Sequence, residues 1–192
     1  HFDLYPFDVS ALPLYTFLPQ WAQNGGREVM LKNIRDEWFR ERILKDLTDI
    51  HPKDFRVAHA PGNETLVGKT LEELRGVFGL KTPGEALLRL LSATGLRGTA
   101  LYRNINHGLV ERALQSPRAL IASNAPSFRE SGREKMFKSE RATGTFTKFL
   151  ALAEGGLLSL EDAVRKITLE PAKRLGLRGR GALREGNFAD LA

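Results

Sequence analysis

Short apolar segments alternate along this chain with longer stretches of helical periodicity, and that alternation constrains the fold more than any other feature. Asp3 to Phe7, Phe55 to Ala58, Thr99 to Tyr102 and Ala119 to Ser123 read as strands, each bounded by Gly, Pro or polar residues. Arg27 to Leu47 places Leu31, Ile34, Trp38 and Leu47 at helical steps, with a break expected near Asp36. Thr82, Pro83 and Glu85 supply a cap, a first-turn proline and a capping-box partner ahead of Leu87, Leu88, Leu90 and Leu91. Gly95 stops that helix. Asn106 to Leu114, Ser159 to Ile167 and Pro171 to Leu175 are the remaining helical stretches. The order strand, helix, strand, helix, strand implies parallel β-α units. In such folds ligands gather beyond the carboxyl ends of the strands, which singles out the long polar stretch from Ala125 to Thr143.

With 192 residues the chain can bury one sizeable core, and 42% hydrophobic with 27% charged residues is ordinary globular composition. No apolar run approaches the roughly 20 residues that span a bilayer. The opening residues lack the basic-then-apolar order of a secretory signal, and a cytoplasmic location is expected. Cysteine is absent, so neither disulfides nor thiolate chemistry are available. A net charge of +6 invites a nucleic-acid reading. The basic residues are interspersed with acids, however, and the densest cluster, Arg174 to Arg180, has no aromatics to stack bases. Neither a nucleic acid nor a membrane is expected as partner.

Four stretches carry a family resemblance. Asp3-Leu4-Tyr5-Pro6-Phe7, followed by the loop from Leu18-Pro19-Gln20-Trp21 to Gly25-Gly26, resembles the Asp-x-Tyr-Pro-Tyr and Leu-Pro-x-Trp-x-x-x-Gly-Gly segments of one amidohydrolase family. Arg141-Ala142-Thr143-Gly144-Thr145-Phe146 is similar to its Arg-x-x-Gly-Thr-Phe. Ser159 to Leu177 resembles its Leu-Glu-x-Ala-x-Arg-Lys-x-Thr run and the following Pro-Ala-x-x-Leu-Gly-Leu helix, and Arg180 to Leu191 its return strand. The family is that of the N-acyl-D-amino-acid deacylases (D-aminoacylases) of the amidohydrolase superfamily. The resemblance implies an α/β fold: residues 1–178 as the last three units of a TIM-like (β/α) barrel, and 179–192 as the return toward a small β-sandwich. Asp3 to Phe7, Thr99 to Tyr102 and Ala119 to Ser123 would then be the sixth, seventh and eighth barrel strands. A chain ending on the strand-like Phe188 to Ala192 reads as cut rather than finished, and such a piece is expected to self-associate through open edges.

The implied chemistry is metal-dependent hydrolysis of an N-acyl amide, with zinc or another divalent ion in the intact enzyme and an N-acyl amino acid as the small-molecule partner. The sequence departs from the pattern at its most important position. The family's catalytic carboxylate, in Gly-Ser-Asp-Gly, is matched here by Asn124 in Ala122-Ser123-Asn124-Ala125. A neutral amide accepts no proton at neutral pH and is a poor metal ligand. The family's His-Pro-Arg has become Ser139-Glu140-Arg141. Tyr5, Ser139 and Arg141 remain as substrate-binding candidates, Arg141 through a bidentate grip on a carboxylate. Each has a plainer reading: Asn124 as a turn residue, Tyr5 as a rim aromatic, Arg141 as a helix-entry ion pair. His1, His59 and His107 stand alone, and no set of His, Asp and Glu has metal-ligand spacing. The fragment itself is expected to bind no metal and to be inactive. Two other functions compete: a non-catalytic ligand-binding homologue, and a basic structural or nucleic-acid-associated module.

Overall fold

The computed structural model describes residues 1–47, 50–125 and 137–191. Its regular elements are β1 (Phe2–Leu4), β2 (Val9–Pro13), α1 (Gly26–Arg35), α2 (Glu37–Asp46), β3 (Phe55–His59), α3 (Leu71–Val77), α4 (Pro83–Ala93), β4 (Thr99–Arg103), α5 (His107–Gln115), β5 (Ala119–Ile121), α6 (Arg141–Glu154), α7 (Leu160–Ile167) and α8 (Leu169–Arg174). They form two compact units. The first takes His1–Asp8, Ile105–Phe128 and the chain from Glu140 onward; the second takes Val9–Asn104 and Arg129–Ser139.

In the first unit β1 and β5 pair in parallel, with Phe2 opposite Ala119 and Leu4 opposite Ile121. Parallel neighbours need a long crossover, and α5 supplies its helix. Asn106 starts α5 by accepting from the Leu109 amide at 3.0 Å, and Val110 and Leu114, one turn apart, turn inward. They pack with Ile121, Phe149, Ala153 and Ala163 in a core of their own. The chain leaves this unit after Asp8 and re-enters at Ile105, whose amide donates to the Asp8 carbonyl at 3.2 Å.

The second unit is built on an antiparallel sheet of order β2-β4-β3. Leu87, Leu88, Leu90 and Leu91 of α4 join Leu71, Leu74, Phe55 and Val57 in its core. The expected capping box forms, Thr82 with Glu85 at the head of α4, and a second, Thr70 with Glu73, heads α3. The break near Asp36 separates α1 from α2, and the Asp36 side chain caps α2 by accepting from Phe39 N at 3.0 Å. Ser159 likewise caps α7 through the Asp162 amide.

Three strand expectations need correction. Thr99 to Tyr102 is no parallel barrel strand: β4 runs antiparallel to both β2 and β3 in the second unit. Phe55 to Ala58 lies in the same antiparallel sheet. Asp3 to Phe7 and Ala119 to Ser123 are direct neighbours through β1 and β5, so no further strand stands between them and they cannot be sixth and eighth. The physical reason is shared. A half-buried strand and a parallel strand present similar short apolar runs, and periodicity does not name the partner. Val9–Pro13, which holds the polar Ser10 and ends on Pro13, carries no sequence mark of the strand that pairs with β4. At the other end, residues 188–191 are not in a strand.

Candidate functional site

Parallel pairing puts the carboxyl ends of β1 and β5 on one side of the first unit, and the chain segments leaving those ends carry Tyr5 and Asn124. Both line a cavity of about 400 Å³, whose apolar walls include Phe7, Ile105, Leu109 and Val110. Asn124 is exposed and has φ +44°, a left-handed conformation that Asn tolerates better than most residues. The turn reading and the site reading of Asn124 are therefore compatible. The backbone turns there, and the side chain sits on the cavity wall.

Arg141 is the first residue of α6, and its guanidinium lies over the Tyr5 ring, 4.9 Å from the centroid. Its Nε is buried and has no hydrogen-bond partner among the described residues. A buried guanidinium nitrogen without an acceptor is costly, and a carboxylate placed beside it relieves that cost. The helix-entry ion pair that would have explained Arg141 is not formed among the described residues. Tyr5, Asn124 and Arg141 thus all belong to the first unit, while Ser139 belongs to the second.

The histidines do not converge. His1 is exposed in the first unit, and His59 closes β3 in the second, after a register irregularity. His107, in the first unit, stands 3.3 Å from Glu111 and 3.9 Å from Asp8. Two further side chains escaped the sequence reading. Lys148 holds its ammonium 4.1 Å from the Phe7 ring centroid. Lys166 is 4% exposed and donates to the backbone carbonyls of Ser116 and Ala119. The signal for Lys166 was its place three residues after the buried Ala163, on the inward face of α7. In the second unit the Trp loop is a surface feature: Trp21 Nε1 donates to Asp46 at 3.1 Å, and Arg42 lies 4.5 Å over the indole. Gly25 in that loop has φ +87°, and a Cβ there would stand 2.9 Å from Val29 Cγ1, so the position demands glycine.

No protein-family profile matches the chain. Among curated proteins, the N-acyl-D-aspartate deacylase of Alcaligenes xylosoxydans xylosoxydans is 30% identical over 137 residues, 70% of this chain and 25% of that protein. The dihydroorotase of Endomicrobium trichonymphae is 52% identical over 40 residues, 21% of this chain and 10% of its own. A solved N-acyl-D-glutamate deacylase from Bordetella bronchiseptica, complexed with zinc and a phosphonate inhibitor, aligns over 98% of this chain and 31% of its own at TM-score 0.62 and 22% identity. A D-aminoacylase structure aligns over the same shares at TM-score 0.61 and 23% identity. The chain is homologous to the amidohydrolases of the D-aminoacylase type. It spans a quarter or less of the curated relatives' length, 25% and 10%, and about a third of the solved ones, 31%.

A zinc ion in such an amidohydrolase needs a convergent set of imidazoles and carboxylates. Among the described residues no three His, Cys, Asp or Glu side chains converge in that way. Asn124 offers only a neutral amide, so the described residues supply no donor set that fits the ion. Among the described residues, too, no helix is long and apolar enough to cross a membrane.

Proposed function

We propose that this chain is the substrate-gripping part of an amidohydrolase that acts on linear N-acyl amides such as N-acyl-D-amino acids. In this reading β1 and β5 are consecutive strands of a (β/α) barrel, and the second unit is carried as an insertion between β1 and α5. Residues 1–178 then belong to the barrel's C-terminal part and 179–192 to the return toward a β-sandwich. Zinc or another divalent ion belongs to the intact enzyme of this type, and none is assigned to this chain. The open edges of a two-stranded parallel sheet favour association of copies.

The observation that carries the reading is Arg141: a guanidinium braced on Tyr5 at the carboxyl end of a parallel strand pair, its buried Nε without an acceptor among the described residues. Arg141 binds the carboxylate of the N-acyl amino acid through charge-assisted hydrogen bonds, and the Tyr5 ring fixes the plane of the fork. Asn124 lines the cavity that Tyr5 also lines, and can donate to, or accept from, the acyl amide. It cannot take a proton from water at neutral pH, so Asn124 is not a general base. That substitution also favours a second reading, a homologue that binds the ligand and leaves it intact.

Binding tests the shared part of both readings. Titration of the chain with N-acetyl-D-leucine, followed by NMR, should show saturable binding that Arg141→Met weakens about 10- to 100-fold, as expected for losing hydrogen bonds to a charged partner. Unchanged affinity in Arg141→Met would remove Arg141 from the site.

A further inference from the structure

The two cations on the inward face of α6 stand seven residues apart, two helical turns or about 10 Å along the axis. Arg141 rests on Tyr5 and Lys148 rests on Phe7, two ring-bearing residues spaced i and i+2 on the segment that leaves β1. Both cations are half-buried. Among the described residues neither makes an ion pair or a side-chain hydrogen bond; ring faces are their contacts. Between them Gly144 keeps the helix surface low: a Cβ there would stand 3.7 Å from Phe7 Cζ. Two like charges held half out of water on one helix face repel, and a ring quadrupole offsets only part of that cost. A ligand carrying two negative groups removes the repulsion and supplies the missing acceptors at once.

We infer that Lys148 is a specificity-determining residue that selects N-acylated amino dicarboxylic acids, with Arg141 taking one carboxylate and Lys148 the other. This deepens the proposed function and rests on its placement of Arg141. Both arms are long and flexible, so their charged ends can approach more closely than the helix positions do. The ammonium of Lys148, a point charge on a four-carbon stem, suits a second carboxylate whose position varies with side-chain length. Selection is therefore expected between one and two carboxylates, and only weakly between aspartate-like and glutamate-like ligands.

The test uses the whole chain and three probes: N-acetyl-D-leucine, N-acetyl-D-aspartate and N-acetyl-D-glutamate. At low ionic strength the two dicarboxylates should bind about 3- to 10-fold more tightly than the leucine derivative, and the preference should shrink at 0.5 M salt, roughly where screening becomes short-ranged. Lys148→Met should abolish the preference while leaving N-acetyl-D-leucine affinity within about twofold, and Lys148→Arg should retain it. Circular dichroism melts of both variants identify any loss of folding, and the Arg variant keeps the comparison valid if the Met variant unfolds. Equal wild-type affinity for all three probes overturns the role of Lys148 and leaves that of Arg141 standing. No binding of any probe overturns both.

Discussion

Lys166 and Asn124 are the two residues whose environment the sequence could least reveal. Lys166 is a buried cation whose acceptors are the carbonyls of Ser116 and Ala119, where α5 ends and β5 begins. It works as a side-chain cap on α5 and fastens α7 to the turn that launches β5. Burial holds its pKa below the usual lysine value of 10.5. The folded pKa lies below the unfolded one, so between the two the unfolded chain binds more protons, and stability rises with pH in that window. Lys166→Met should cost about 1–3 kcal/mol at neutral pH, because two buried carbonyls lose their donor. It should also flatten the alkaline rise in melting temperature. Denaturant and thermal melts of both proteins at several pH values up to 10.5 check this, and parallel pH profiles would refute it. Asn124 differs in kind. Its left-handed φ of +44° is a backbone fact that no motif comparison carries, whereas its place at a strand end was legible from position.

Helix punctuation was the most legible layer. Thr82-Pro83-Gly84-Glu85 announces a cap, and Thr82 Oγ1 accepts from the Glu85 amide at 3.2 Å while Glu85 Oε2 accepts from Thr82 N at 2.9 Å. Such bonds span four residues, so local sequence suffices to specify them. Strand partnership is different. β1 and β5 pair across more than a hundred residues, and β4 finds β2 and β3, because core burial and chain routing decide the pairing. The capping boxes also make a pH prediction. The hydrogen bond from the Thr82 backbone, then that from its hydroxyl, lowers the Glu85 carboxyl below the ordinary 4.5, and Thr70 does the same for Glu73. The stability they give is complete above 4.5 and is lost as pH falls through the lowered folded values. Thr82→Ala should cost about 1 kcal/mol. Glu85→Gln should soften the acid-side slope of the melting curve, and an unaltered slope in Glu85→Gln would show that this box does not respond to acid.

Across the whole molecule, the second unit has its own sheet, core and helix caps, and Val9 pairs with Arg103 so that its two ends lie side by side. That geometry is what lets a domain be inserted into a crossover without disturbing the host. Reading the chain as one uninterrupted series of β-α units missed it, because nothing in an apolar run marks a change of host. The candidate site residues divide between the two units. Tyr5, Asn124 and Arg141 fall in one unit, two of them on one cavity wall and the third stacked on Tyr5; Ser139 falls in the other. In the proposed function Arg141, braced on Tyr5, grips an N-acyl amino acid, and no metal-binding set stands beside it among the described residues. The most direct test is amine release from N-acetyl-D-glutamate by the purified chain at saturating ligand, with and without added zinc. No release above the blank is expected under either condition; zinc-dependent release that a chelator abolishes would overturn the proposed function.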